Sequence, residues 1–292
     1  MRRYYQFRPS FRMPELPEVE VTRRGIAPAL IGRRLASADF YAPTLRYPLP
    51  HTARTEFVGQ TLINITRRAK YLLLDFGVGH LLIHLGMSGS LRLLPNEKSD
   101  TSDTPSTPPQ KHDHVDLVFE NTTLRLRDPR RFGAVLWLTG DVCKHPLLAK
   151  LGIEPLDPAF DALWLKNHLK GVKTAIKPAL MDGHRIVGIG NIYASESLFR
   201  ARINPRTPAG KISFARLQRL VPIIKETLLA AIAAGGSSLR DFIHSDGSSG
   251  YFQQQYFAYG RTGQPCRICG QLIREIKQAQ RTTFYCATCQ AR

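Results

Sequence analysis

The sequence predicts an α+β, multidomain chain: an N-terminal β-sandwich with flanking helices, a helical domain behind it, and a small C-terminal hairpin. Three observations carry this. Between Thr61 and Leu138 the apolar residues fall in short runs broken by Gly, Asn and Pro. After Asp161 their spacing turns helical, and the chain ends on two cysteine pairs. Evenly spaced short strands with turn residues between them are the mark of a sandwich.

In chain order, Pro17 to Leu30 reads as a helix, with proline in its first turn and Gly32 as its stop. Strands are expected at Leu62 to Ile65, Tyr71 to Phe76, Leu81 to Leu85, Val115 to Phe119, Leu124 to Leu126 and Ala134 to Leu138. Residues 95–111 interrupt them with Ser, Thr, Asp and four prolines, a composition with no means to pack, so a solvated loop insertion is expected. A loop rich in Pro, Gly and Asp then serves as linker over 144–160. Ser213 is positioned to cap a helix that puts Leu217, Leu220, Val221, Ile224 and Leu228 on one face and closes at Gly235-Gly236. Pro222 within it predicts a kink or a later start. The resulting divisions are a 1–12 extension, a 13–143 sandwich domain, the 144–160 linker, a 161–258 helical domain and a 259–292 hairpin.

Cys266-x-x-Cys269 and Cys286-x-x-Cys289, with sixteen residues between the pairs, have the spacing of a tetrahedral zinc site. The competing uses, two disulfides or a redox dithiol, lack a secretory signal and a thioredoxin-like βαβ setting respectively. Four thiolates leave no ligand position open, so one structural Zn2+ is expected, and without it the small hairpin has almost no core. Cys143 is left over and is expected to be a small buried apolar residue. The formal charge of +18 gives the molecule a cation field suited to a polyanionic partner. No apolar run approaches the ~18 residues of a membrane span, and Met1 to Arg12 lacks the apolar stretch of a secretory signal; a cytoplasmic protein is expected.

Met13-Pro14-Glu15-Leu16-Pro17-Glu18-Val19-Glu20 resembles the start of the formamidopyrimidine-DNA glycosylases. The resemblance continues through Arg67-Arg68-Ala69-Lys70-Tyr71, the string from His84 to Ser90, Lys111 to Asp116, Asp128-Pro129-Arg130-Arg131-Phe132-Gly133, Gly190 to Glu196 and the zinc hairpin. Only residues 1–12 and 95–111 stand outside it. It implies excision of oxidised purines such as 8-oxoguanine and formamidopyrimidines, cleavage of the backbone at the abasic site, a helix-two-turn-helix domain and a zinc-ribbon hairpin. A monomer acting on damaged double-stranded DNA at the nucleoid is expected.

Pro14 supports this on chemical grounds. If translation starts at Met13 and that methionine is removed, the chain begins with a secondary amine of pKa near ~8, nucleophilic at neutral pH. Its attack on sugar C1′ yields a cationic iminium, an electron sink for elimination of the phosphates. By residue type alone Pro14 is equally a proline entering a helix, and Glu15 equally a first-turn acid facing the helix dipole. The resemblance makes Glu15 the proton donor and Lys70 the acid in β-elimination. It links Arg281 to δ-elimination, for which a guanidinium suits phosphate clamping better than proton donation. Glu18 is expected to support the helix start.

An enzyme acting on a base within a duplex must extrude that nucleotide and fill the gap. Met87, Arg130 and Phe132 match the family's intercalating set. His84, His112, Lys173, Lys177 and Asn191 follow as further DNA contacts, and the glycines at 188 and 190 are expected to open a helix N-terminus to phosphate. Ser237 to Phe252 reads as a lid, with Arg240 where many relatives have lysine. Two alternatives stand beside this. The related endonuclease VIII enzymes act on oxidised pyrimidines; Leu16, Met87 and the Arg130 to Phe132 string argue against them. A non-catalytic DNA-binding protein would follow if Met1 is the true start, since Pro14 would then have no free amine.

Overall fold

The computed structural model describes residues 13–98, 103–105, 107–237 and 255–291. The lid segment beyond Ser237, with Arg240, and the 1–12 extension lie outside the described residues. Helix α1 (Leu16–Leu30) leads into two antiparallel sheets. Strands β1 (Leu35–Phe40), β5 (Ser90–Lys98), β6 (Asp103–Pro105), β7 (Asp113–Phe119) and β8 (Thr122–Arg127) form a five-stranded sheet in the order β1-β7-β8-β5-β6. Strands β2 (Asn64–Arg68), β3 (Tyr71–Asp75), β4 (His80–His84) and β9 (Ala134–Leu138) form the second, in sequential order. Ile65, Leu72, Leu74, Leu81 and Ile83 from one sheet and Leu117, Phe119, Leu124 and Leu126 from the other share a single core. A short helix, α2 (Arg54–Phe57), sits between β1 and β2.

The second sheet is apolar on both faces, which explains the unbroken leucines of β3 and β4. Leu73, Leu82 and Leu138 point away from the sandwich and pack on Leu148, Leu151 and Val142. Residues 144–160 are therefore packed rather than a free linker. Cys143, expected to be buried, is exposed on a 3-10 turn: its neighbours Val142 and Leu148 reach the sheet, while Asp141 accepts its backbone N–H.

Residues 95–111 also depart from expectation. Rather than a loop throughout, β5 runs on through Lys98 and pairs with β6 at Asn96, Glu97 and Lys98. The buried Arg125 guanidinium donates to the Thr107 and Pro108 carbonyls, so a buried side chain holds the backbone where the segment returns to β7.

The helical domain comprises α3 (Ala162–Leu169), α4 (Ile176–Leu180), α5 (Asn191–Arg200) and α6 (Phe214–Ala233). Helix α6 passes through Pro222 without ending. Burial of Leu217, Leu220, Val221, Ile224 and Leu228, at ~1.5–3 kcal/mol each, outweighs the ~3 kcal/mol of an interior proline. The Ser213 side chain makes no cap; its carbonyl takes the N–H groups of Arg216 and Leu217. Strands β10 (Arg274–Gln278) and β11 (Arg281–Tyr285) form the C-terminal hairpin. No described helix is long and apolar enough to cross a membrane.

Candidate active site

The N-terminus of α5 already has its anion, and it belongs to the protein. The Glu15 carboxylate accepts the backbone N–H groups of Gly190 (2.8 Å), Ile192 (2.9 Å) and Tyr193 (3.3 Å). This corrects the expectation that these amides wait for a phosphate: the first-turn donors are taken from within. The glycines serve that contact. A Cβ on Gly190 would stand 2.3 Å from the Glu15 carboxyl carbon, and one on Gly188, whose φ is +76°, would lie 2.7 Å from the Leu16 side chain. The Gly188 carbonyl in turn accepts the Leu16 N–H. Helices α1 and α5 are thereby locked start to start.

Glu18 completes the lock. It is fully buried, accepts the Glu15 N–H at 2.9 Å, and receives both the Tyr193 hydroxyl (2.6 Å) and the Ser237 N–H (2.8 Å). Ser237 is the last described residue before position 255.

Glu15 lines a cleft of about 150 Å3 together with Met13, Lys70, Asn191, Tyr259 and Arg281. Burial raises the Glu15 pKa, opposed by the Lys70 charge and by the α5 amides and reinforced by Glu18. Two carboxylate oxygens offer about four lone-pair directions. Three of them face the amides of α5. Burial lowers the Lys70 pKa against the pull of Glu15 and Glu18, with Arg281 adding to the decrease. Lys70 follows Ala69, which takes a left-handed φ of 54° and donates its N–H to Glu154 at 2.6 Å. Arg67, bridging Glu20 and Glu154, braces the same turn.

Lys177 departs from its expected role. Only 1% exposed, it donates to Asn191 Oδ1, the Thr282 carbonyl and Thr283 Oγ1 (2.8 Å), so all three ammonium protons are used inside the protein. Burial brings its pKa down to about 7, with Glu15 opposing and Arg281 assisting. It joins α5 to the hairpin rather than standing at the surface for DNA.

The remaining sequence-predicted contacts are placed as follows. His84 is partly buried against Tyr71, and its Nδ1 accepts the Gly86 N–H. Burial lowers its pKa to about 4, helped by the Lys70 and Arg46 charges, so it is neutral at pH 7. Phe132 is 45% exposed, the Arg130 guanidinium lies 4.9 Å from its ring centroid, and Met87 is half-buried on the neighbouring loop. His112 is half-buried with a φ of 80°, and Lys173 is exposed. Asn191 is half-buried at the first turn of α5.

Arg281 opens β11, and the hairpin's cysteines converge. The sulfurs of Cys266, Cys269, Cys286 and Cys289 all lie within 4.8 Å of one another, with 3.5 and 3.9 Å separations for the two closest cross-pairs. Tetrahedral zinc with Zn–S bonds of ~2.3 Å requires S···S edges of about 3.8 Å, so the donor set fits the ion. Gln290 anchors this knuckle: it accepts the Cys286 N–H, donates to the Ile203 carbonyl, and its own carbonyl receives Asn204.

With this geometry in hand, three family models match: the formamidopyrimidine-DNA glycosylase N-terminal domain over residues 13–135, its H2TH domain over 151–243, and the zinc finger found in FPG and IleRS over 263–292. The formamidopyrimidine-DNA glycosylase of Aromatoleum aromaticum is 56% identical over 280 residues, 96% of this chain and 100% of that one. The chain belongs to the formamidopyrimidine-DNA glycosylase family. Paraburkholderia phymatum has a formamidopyrimidine-DNA glycosylase that is 53% identical over 95% of this chain and 100% of its own. Among solved structures, MutM (Fpg) of Thermus thermophilus is 36% identical with a TM-score of 0.83, covering 95% of this chain and 98% of that one. Lactococcus lactis Fpg, complexed with DNA containing an abasic site, gives 34% and 0.85 over 95% and 100%.

The glycosylase is thus a DNA glycosylase and abasic-site lyase of base excision repair, with a four-cysteine site for one structural zinc. The expected fold, from sandwich through H2TH domain to zinc hairpin, is present. Of the residues singled out from sequence, Glu15, Lys70, Asn191 and Arg281 line one cleft, while Met87, Arg130 and Phe132 form a separate projection. Sequence reasoning gave no role to Tyr193, which lies within the Gly190 to Glu196 string, or to Ser237 and Tyr259. A period-based reading places Tyr193 inside a helix but gives no sign that its hydroxyl meets Glu18.

Proposed function

We propose that this glycosylase removes oxidised purines, 8-oxoguanine and formamidopyrimidines, through a Schiff base formed by Pro14, and then cleaves the backbone by β,δ-elimination. The observation that carries the proposal is the buried Glu15 carboxylate, raised in pKa, lining a cleft that it shares with Met13, Lys70 and Arg281. Pro14 lies between two cleft-lining residues, and removal of Met13 leaves a secondary amine there. The family model begins at residue 13, which supports Met13 as the working start and Pro14 as the mature N-terminus.

In the first step the Pro14 nitrogen bonds to C1′ and the C1′–base bond breaks, with Glu15 supplying a proton to the ring oxygen or the departing base. The ring opens to an iminium, C2′ loses a proton, and the resulting double bond expels the 3′ phosphate. Lys70 serves as acid in that β-elimination; loss of a C4′ proton then drives a second elimination that expels the 5′ phosphate, with Arg281 holding that leaving group. Water then hydrolyses the imine and restores the amine. Met87, Arg130 and Phe132 fill the space of the extruded nucleotide, and His84, His112, Lys173 and Asn191 hold phosphates. Oxidised pyrimidines are a secondary substrate class, since a Lactococcus lactis Fpg structure at 34% identity carries DNA with such a lesion. The protein works as a monomer at the nucleoid in the cytoplasm.

Borohydride tests the chemistry directly. A chain beginning at Pro14 is expected to form a covalent adduct with abasic DNA in its presence, and a chain beginning at Met1 to form none. Equal trapping by both would remove Pro14 as the nucleophile.

A further inference from the structure

The loop that bears Met87 and the loop that bears Arg130 and Phe132 are joined by one carboxylate. Asp128 is fully buried. Its Oδ1 accepts the Ser88 hydroxyl at 2.7 Å and the Arg130 N–H at 3.3 Å, and its Oδ2 accepts the Gly133 N–H at 2.7 Å. The Ser88 hydroxyl oxygen also accepts the Arg130 N–H at 3.2 Å. The two loops are in direct backbone contact as well: a Cβ on Gly86 would stand 2.4 Å from the Phe132 carbonyl carbon and 2.5 Å from the Gly133 nitrogen. Arg131 takes a left-handed φ of 58° and donates its N–H to the Asp128 carbonyl, turning the chain so that Phe132 projects.

We infer that Asp128 is a positioning residue that pins these two loops into one rigid wedge before DNA arrives. The inference rests on the proposal that Met87, Arg130 and Phe132 fill the gap left by the extruded nucleotide. A wedge entering a base stack works against a few kcal/mol of stacking and pairing, so its own loops must not yield. Exposed aromatic tips have no core to brace them; here the brace is polar and sits at their base. A carboxylate suits the post because it only accepts hydrogen bonds, and donors approach it from both loops. Asparagine in its place keeps one acceptor oxygen and aims an NH2 group at either the Ser88 hydroxyl or the Gly133 N–H. Leaving a buried donor unpaired costs ~1–3 kcal/mol, and a shift of about 1 Å in a positioning group lowers rates by ~10²-fold.

The test uses one abasic oligonucleotide, presented single-stranded and in duplex, with zinc-loaded protein beginning at Pro14. Asp128→Asn is expected to slow single-turnover cleavage of the duplex by about 10- to 100-fold. Discrimination between cytosine and adenine opposite the site is expected to flatten. Cleavage of the single strand, which has no gap to fill, is expected to stay within about twofold; that arm also reports that the variant folds. Ser88→Ala, which keeps the carboxylate, should show a smaller loss with the same split. Combining Asp128→Asn with Phe132→Ala should cost clearly less than the sum of the two single losses, because both act through one wedge, although Met87 and Arg130 remain in it. Equal losses on single strand and duplex, no loss on duplex, or additive losses in the double variant each overturn the inference. If Phe132→Ala cleaves duplex at the parental rate, the gap-filling proposal itself fails. If it is slowed while Asp128→Asn is not, only the pinning role of Asp128 fails.

Discussion

The two walls of the cleft are built by different means. Glu15 and Lys70 stand on elements backed by the large shared core of α1, both sheets and the helical domain. Arg281 stands on a hairpin whose own cluster is little more than Phe199, Ala258, Ile273 and two of the metal-binding cysteines. Geometry on the first wall is set by packing and a buried carboxylate network. On the second it depends on a metal ion and on the few hydrogen bonds of Gln290 and Lys177. Two of the cleft's proposed catalytic groups thus rest on the large core, and the third, the arginine, on a hairpin whose stability comes from a metal ion.

The sharpest way to break this comparison is to remove the metal. Chelation, or Cys286→Ser, is expected to unfold residues 263–291 and abolish DNA strand cleavage while the sandwich keeps its thermal transition. Structural zinc supplies ~10–16 kcal/mol of apparent binding energy to modules of this kind. Hydrogen exchange followed region by region, alongside zinc content, provides the readout. Joint unfolding of hairpin and sandwich would show that the two walls are one cooperative unit.

Next in size is Glu15→Gln. Loss of a general acid costs ~10²–10⁴-fold, so excision from an intact nucleotide should fall by that order, and cleavage at a preformed abasic site by much less. Because the Glu15 pKa is raised above 4.5, the protonated donor persists to higher pH than an ordinary glutamate. Excision should therefore follow a bell: it climbs with pH as the Pro14 amine loses its proton and declines as pH rises through the folded Glu15 value, a descending limb that Glu15→Gln should erase. The same sign holds for stability: a carboxyl whose folded pKa is raised contributes most favourably when protonated, and that contribution is lost on the alkaline side. Equal loss of excision and abasic-site cleavage would argue against the assigned role.

The same contrast explains what the sequence could reveal. The hairpin's cysteines were legible because metal coordination imposes a spacing that few other functions share. Helix α6 was legible because burial on one face imposes a period, and strands β3, β4, β7 and β9 because burial leaves short apolar runs between turn residues. Strand β1 was not: Leu-Ala-Ser-Ala-Asp-Phe has no β-branched residue and only two buried positions, Leu35 and Ala38. Strand β5 crosses Pro95, which composition marks as a break, yet the ladder continues on its backbone alone. The Glu15 contact with α5 joins residues 175 or more positions apart, and no local pattern encodes it. Lys177 looked like a surface lysine because charge is visible in sequence and burial of a single charge is not.

Gly190→Ala probes the packed wall at its tightest point. The added methyl would meet the Glu15 carboxyl carbon at 2.3 Å, and the crowding atoms on either side are buried, so the carboxylate or the start of α5 must shift. A displacement of about 1 Å at a catalytic group predicts an excision loss on the order of 10²-fold. Binding of an abasic-site duplex, read by gel shift, should change little, since the wedge and the hairpin are untouched. Parental excision by Gly190→Ala would mean that the Glu15 lock with α5 does not set the proton donor's position.

The smallest expected effect lies where the walls meet. Lys177 ties Asn191 to Thr282 and Thr283, and its pKa of about 7 lies below the ordinary value of 10.5. A state with the hairpin lifted away, exposing Lys177, binds its proton more tightly than the docked state does. Between about pH 7 and 10.5 the lifted state therefore holds more protons, and docking gains as pH rises through that window. Hydrogen exchange in β11, corrected for the intrinsic rise with pH, should slow by a few-fold per pH unit between pH 7 and 9, bounded by the ~10-fold that one proton allows. Lys177→Met should give a flat corrected profile. If β11 exchange instead quickens with pH in the parent, the three hydrogen bonds of the ammonium outweigh the cost of burying its charge, and the two walls are held together by the charged lysine rather than in spite of it.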